Sequence, residues 1–186
     1  ELEQDFAFGG VRLLLEPVIA RLDEPTRRRL LAGAASRAAA LLDGDNDGGV
    51  AGDLPTMLHS LHWVVANLAD VRPVLVLVDD LQWLDQPSRR FLLHLGRRIG
   101  DVAVAAVVAS RPEEPAGEDG ADALLRLPGA AGFDLAPLSD EAVLTLRRHA
   151  PGAVGIAEAG LLRLVGGNPL VATQLLAGGD GAPLGG

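Results

Sequence analysis

The chain of 186 residues contains no cysteine. Disulfides, thiolate metal sites and cysteine nucleophiles are excluded together. The absence also suits a reducing compartment, so a cytoplasmic location is expected. Lysine is missing as well, and all 16 basic residues are arginine. A P-loop, Gly-x-x-x-x-Gly-Lys-Ser/Thr, needs its lysine on the β- and γ-phosphates, so this stretch cannot contain one. No apolar run approaches the roughly 20 residues that span a bilayer, and no membrane contact is expected. The opening Glu1-Leu2-Glu3-Gln4-Asp5 has nothing of a signal peptide. It lacks an initiator methionine, which predicts a start inside a longer protein or a processed end. Positive charge is scarce too: the net charge is −9, a poor match for a polyanion, so direct DNA contact by this segment is not expected.

The residues present suffice for a packed core. Hydrophobic residues make up 48% and charged residues 22%, in a length that suits one domain or a domain and a half. The centre of the chain is Pro73-Val74-Leu75-Val76-Leu77-Val78-Asp79-Asp80-Leu81-Gln82-Trp83-Leu84-Asp85. An unbroken apolar run predicts a strand over 74–79, buried on both faces as in a helix-covered parallel sheet. Two acids then arrive together, at the sheet edge where open α/β folds place ligands. This is the pattern of a Walker B strand: Asp79 to hold a nucleotide-bound Mg²⁺, Asp80 to orient or deprotonate the attacking water. A core strand with an ordinary acidic turn is the plain alternative.

Ahead of this strand, apolar positions 11, 14, 15, 18, 19 and 22 predict a helix that Pro17 kinks or splits. A second helix is expected over 24–42, with Pro25 in its first turn. The loop Asp43–Asp53 begins like a calcium loop, but its twelfth position is Leu54 rather than a bidentate glutamate, so it reads as a solvated Gly/Asp loop. A helix over 55–70 carries Leu58, Leu61, Val65 and Leu68. It also holds His59 and His62, three apart but without a third ligand, and these read as solvated or capping histidines. After the central strand, Asp85 is a helix N-cap with Pro87 in the first turn. Phe91, Leu92, Leu95 and Ile99 form that helix's apolar face, and Gly100 its stop. A second buried strand over 102–109 completes a βαβ unit. The two strands should be parallel neighbours, with Ser110 and Arg111 on the same edge as Asp79 and Asp80. Next come a Glu/Pro/Gly loop, a short helix over 121–127 and a short strand over 132–135. From Leu138 the pattern is helical. Ser139 caps one helix, a second covers about 155–165, Gly166 or Gly167 ends it, and Asn168 and Pro169 start a third.

Four blocks stand in order: Asp-Asp-Leu-Gln-Trp-Leu-Asp (79–85), Val-Val-Ala-Ser-Arg-Pro (107–112), Leu-Ala-Pro-Leu-Ser-Asp-Glu (135–141) and Gly-Gly-Asn-Pro-Leu (166–170). Together they resemble the nucleotide-binding domain of the large ATP-binding LuxR-type transcriptional regulators, in the signal-transducing (STAND) branch of the AAA-like P-loop ATPases. The opening stretch, residues 1–12, resembles the segment located after Walker A and the second strand in that family. The resemblance implies an incomplete α/β P-loop NTPase (ASCE/AAA-like) parallel sheet with flanking helices over 1–137. An all-helical segment would start at 138–177, before a flexible tail at 178–186.

The implied site consists of Asp79 on the Mg²⁺ side, Asp80 as the catalytic acid, Ser110 and Arg111 as the sensor that reads the γ-phosphate, and Pro169 near the adenine. Asn168 reads as a helix cap, and Trp83 as a packing residue. The implied ligands are ATP or ADP with Mg²⁺, and the implied partners are other domains of the same regulator, with self-association in the ATP state. The resemblance implies that the first strand and the P-loop lie upstream of Glu1, and the family's strand order, 5-1-4-3-2, would set that strand between those at 102–109 and 132–135. This segment alone is expected neither to bind ATP tightly nor to hydrolyse it. Two other readings stand beside this one: a nucleotide-independent protein-interaction module, and a metal-dependent hydrolase built from Asp79, Asp80 and His59 or His62.

Overall fold

The computed structural model describes residues 7–42, 53–111, 119–150 and 157–177. The chain is mixed α/β and mostly helical, with a two-stranded parallel sheet. It divides into two compact units, Glu1–Gly132 and Phe133–Gly186. Most of the calcium-like loop (43–52), the residues 112–118 and the tail 178–186 lie outside the described residues.

In the first unit, α1 (Gly9–Ile19) buries Val11, Leu15 and Ile19 on one stripe. Pro17 lies inside α1. The carbonyl it leaves without a donor belongs to Leu13, an exposed residue that water can serve. The single helix expected over 24–42 is instead two, α2 (Glu24–Leu30) and α3 (Ser36–Leu42), joined by a 3₁₀ turn at Gly33–Ala35. Gly33 adopts φ +60°, a left-handed conformation that ends α2's run. The carbonyls exposed by the break find donors on α4 (Leu54–Val71): Asn67 Nδ2 donates to Leu30 O at 2.7 Å and Ser60 Oγ to Ala34 O at 2.6 Å. Periodicity cannot report such an interruption, because its compensation comes from a helix elsewhere in the chain.

The βαβ expectation holds. β1 (Val74–Val78) pairs in parallel with β2 (Val104–Val108), Val74 opposite Val104 and Val78 opposite Val108, and α5 (Gln86–Gly96) connects them. α5 ends at Gly96, short of Gly100, which lies in a 3₁₀ turn at Ile99–Asp101. The strands are not buried on both faces. Val76 and Val78 point into the core, whereas Leu75, Leu77 and Val107 are each 59% exposed. Successive strand side chains point to opposite faces, and the described helices of this unit cover only one of them. A short helix, α6 (Ala121–Leu125), comes next. The strand expected over 132–135 does not form: this stretch has no regular structure, and Leu135 is 95% exposed.

In the second unit, α7 (Asp140–His149), α8 (Glu158–Val165) and α9 (Pro169–Ala177) enclose Val143, Leu161, Val165, Ala172 and Leu176. Ser139 Oγ accepts from Ala142 N at 3.2 Å, and Gly166 ends α8 at φ +53°. Asn168 Oδ1 caps α9, accepting from Leu170 N at 2.9 Å. Leu138 N donates to Gly167 O at 2.8 Å, which ties the Leu-Ser-Asp-Glu block to the Gly-Asn-Pro block. A Cβ on Gly167 would stand 2.6 Å from Pro137 Cβ, so this approach requires glycine.

One buried carboxylate ties the first unit together. Asp85, 4% exposed, caps α5 by accepting from Ser88 N (2.9 Å) and Ser88 Oγ (2.6 Å). It also accepts from Phe8 N (2.9 Å) and Gly10 N (3.0 Å), while Ser88 Oγ accepts from Val11 N (3.1 Å). Helix starts leave N–H groups unpaired and favour negative charge. Asp85 serves two such starts at once. Asp85→Ala should therefore cost at least about 3 kcal/mol, since several buried donors lose a charged acceptor together. Urea unfolding measures this, and a loss under about 1 kcal/mol would contradict the assigned role.

Candidate functional site

At the carboxyl ends of β1 and β2 the backbone brings four of the five expected site residues to one edge. Ala109 N donates to Val78 O at 2.8 Å, and Leu81 N donates across to Ala109 O at 2.9 Å. Asp79 and Asp80 leave one strand beside Ser110 and Arg111 leaving the other. Asp80 adopts φ 55°, ψ 56°. Left-handed backbone is uncommon outside glycine but tolerated by aspartate. It turns the chain out of the strand into a 3₁₀ turn at Leu81–Trp83. Asp79 Oδ1 accepts from Asp80 N at 3.0 Å, which steadies this turn.

The two acids differ in environment. The Asp79 side chain is exposed, with its own turn's N–H as the hydrogen-bond donor to one oxygen. Asp80 is half-buried and engaged: Oδ1 accepts from Gln82 Nε2 at 2.6 Å and lies 3.8 Å from Arg111 Nε. Gln82 is itself buried, and its Oε1 accepts from Arg111 N at 3.4 Å. Ser110 is exposed beside them. Asp79 is thus the carboxylate open to a hard cation, which favours oxygen ligands and waters. Asp80 is held in place and partly neutralised. Trp83, expected to pack, is half exposed over this turn and lies outside the core.

A scan against protein-family models, a search of curated proteins and a search of solved structures each find no match. The site must therefore be judged on its own chemistry. Pro169 belongs to the second unit, where it opens α9 directly after the Asn168 cap. Gln82 received no role from the sequence, although it sits two residues after Asp80. Its only signal was a polar residue between Leu81 and the bulky Trp83-Leu84 pair.

The histidines form a different arrangement from the one expected. His62 is buried rather than solvated, its ring centroid 6.0 Å from that of His94 on α5 and 6.0 Å from that of Trp63. His59 Nε2 accepts from Trp63 Nε1 at 3.0 Å. Among the described residues no group of three or more His, Asp or Glu side chains is placed to hold a metal, which removes the structural basis for the metal-hydrolase reading there.

Burial, then Arg98, His62, His59 and Arg97 in that order, push His94 down to about 4. Burial, then Arg98 and His59, push His62 down as well, with Asp101 opposing. Both rings are more basic in the unfolded chain, so the unfolded state binds more protons between about pH 4 and 6.5. Their contribution to stability is complete above the unfolded pKa and is lost as pH falls through this window. Melting temperature should drop from pH 7 to 4.5 in the parent chain and drop less in His94→Leu; equal drops would contradict the linkage.

Proposed function

We propose that this stretch is the Walker B and sensor part of an ATP-binding regulatory switch, of the kind found in LuxR-type transcriptional regulators. The observation that carries the reading is the shared edge: two consecutive acids leave one parallel strand beside the Ser-Arg that leaves its neighbour, with Arg111 Nε 3.8 Å from Asp80 Oδ1. Bound Mg-ATP would supply a transferable γ-phosphoryl group, and the side chains at this edge would serve it in different roles. Asp79, exposed and anionic, offers oxygen to a cation. Arg111, always charged, suits a phosphoryl oxygen. Asp80, held by Gln82, would orient the attacking water.

Two further features favour the reading. Parallel sheets are ordinarily covered on both faces, and the open Leu75, Leu77 and Val107 face suits a larger α/β unit. The Gly-Asn-Pro start of α9 supplies a capped helix N-terminus in the second unit, where Pro169 would pack near adenine. The lysine that a phosphate cradle needs is absent from the sequence, so in this proposal it comes from another part of the regulator. The partners are then nucleotide and the regulator's other domains, with ATP-dependent self-association and no direct DNA contact by this stretch. A nucleotide-independent interaction module is the second reading, and the same open sheet face favours it.

Isothermal titration separates the two. The chain alone should show no micromolar affinity for Mg-ATP. A longer protein carrying a P-loop lysine ahead of Glu1 should bind it, and Asp79→Ala in that protein should weaken binding by about tenfold or more, as expected for loss of a metal-side charge. Micromolar binding by the chain alone, or an Asp79→Ala variant that binds normally, would contradict the proposal.

A further inference from the structure

We propose that Gln82 is a positioning residue that couples Asp80 on one strand end to Arg111 on the other. Its carboxamide spans the two: Nε2 donates to Asp80 Oδ1 at 2.6 Å, and Oε1 accepts from the Arg111 backbone N–H at 3.4 Å. The Arg111 guanidinium closes the ring at 3.8 Å from the same Asp80 oxygen. Only a group with a donor at one end and an acceptor at the other can bridge a carboxylate and an N–H in this way. Gln82 is buried, while the Asp80 and Arg111 groups it joins are partly exposed, so the amide is the anchored member of the three. Its place is fixed from both directions. Leu81 N bonded to Ala109 O locks the turn to β2 on one side, and the buried Asp85 cap locks α5 on the other.

The consequence is that the two strand ends answer to each other. Gln82 bonds the Arg111 backbone, so an anion at Arg111 reaches Asp80 through this amide wherever it shifts that backbone. Gln82 carries that displacement to the Asp80 carboxylate. In the ATPase reading, on which this functional meaning rests, arrival of a phosphoryl group at Arg111 would adjust the acid that orients water. The coupling itself is a property of this chain and does not require nucleotide.

The test is the amide resonance of Arg111 in the ¹⁵N-labelled chain. Asp80→Asn should move this resonance in the parent background and move it clearly less in a Gln82→Met background, where only the direct Asp80–Arg111 approach remains. Exchange of the Arg111 N–H with solvent should also quicken about threefold to tenfold in Gln82→Met, the worth of one protein hydrogen bond. Should Gln82→Met fail to fold, Gln82→Glu keeps the side chain's size and, when ionised, lacks the donor, and it should reduce the same response at neutral pH. A response of equal size with and without Gln82, or no response in the parent chain, would overturn the proposal whether or not the protein binds Mg-ATP.

Discussion

The Asp85 carboxylate is the interaction on which the first unit depends. Two helices, α1 and α5, begin at this carboxylate; α5 carries it as its own N-cap, whereas α1 has no capping side chain of its own. α1 starts at Phe8-Gly9-Gly10, with no Ser, Thr, Asp or Asn to cap it. Asp85 supplies the missing acceptor, and Ser88, fully buried, extends it to Val11. The cost of burying a charge is offset only by multiple hydrogen bonds, and here the carboxylate receives them from Phe8, Gly10 and both donors of Ser88. Close approach is part of the device: a Cβ on Gly10 would stand 2.9 Å from Leu84 Cγ. Because Asp85 is joined to Asp80 through one short turn, the pin between the helices also limits where the acidic edge can move.

Above this pin the site is a small parallel sheet with one strongly apolar, open face and one polar end. The polar end is organised by hydrogen bonds that converge on one buried amide. Asp79 remains open, while Asp80, Gln82 and Arg111 form a closed set. An exposed ion pair contributes little by itself, typically about 0–1 kcal/mol. The buried amide between the two charged residues is what gives the set a fixed geometry.

Much of this was legible in the residues. The Val/Leu run, the Asp-Gln-Pro helix start and the Val-Ala-Ala-Val-Val run specify strand, helix and strand, and a helical crossover between neighbouring strands makes them parallel. From there, the meeting of Asp79, Asp80, Ser110 and Arg111 comes from counting along the register. What could not be read depends on contacts between distant residues. The break at Gly33 is compensated from α4 by Ser60 and Asn67. Asp85 reads as a local cap, yet half of its bonds go to residues more than 70 positions away. His62 lies close to His94, across a helix pair that spacing within one helix cannot reveal. An apolar run also states that a strand can be buried on both faces, not that it is, and Leu75 and Leu77 are open.

The central claim is that the acidic strand end and its Ser-Arg neighbour form one half of a nucleotide site. Paramagnetic broadening by Mn-ATP tests this proposal most directly, in a protein that joins a segment bearing a P-loop lysine to this chain. Amide signals of Asp79, Asp80, Ser110 and Arg111 should broaden together and before those of α4 or α6, and unlabelled Mg-ATP should restore them. Broadening that spares this edge, or none at all with nucleotide bound, would contradict the account.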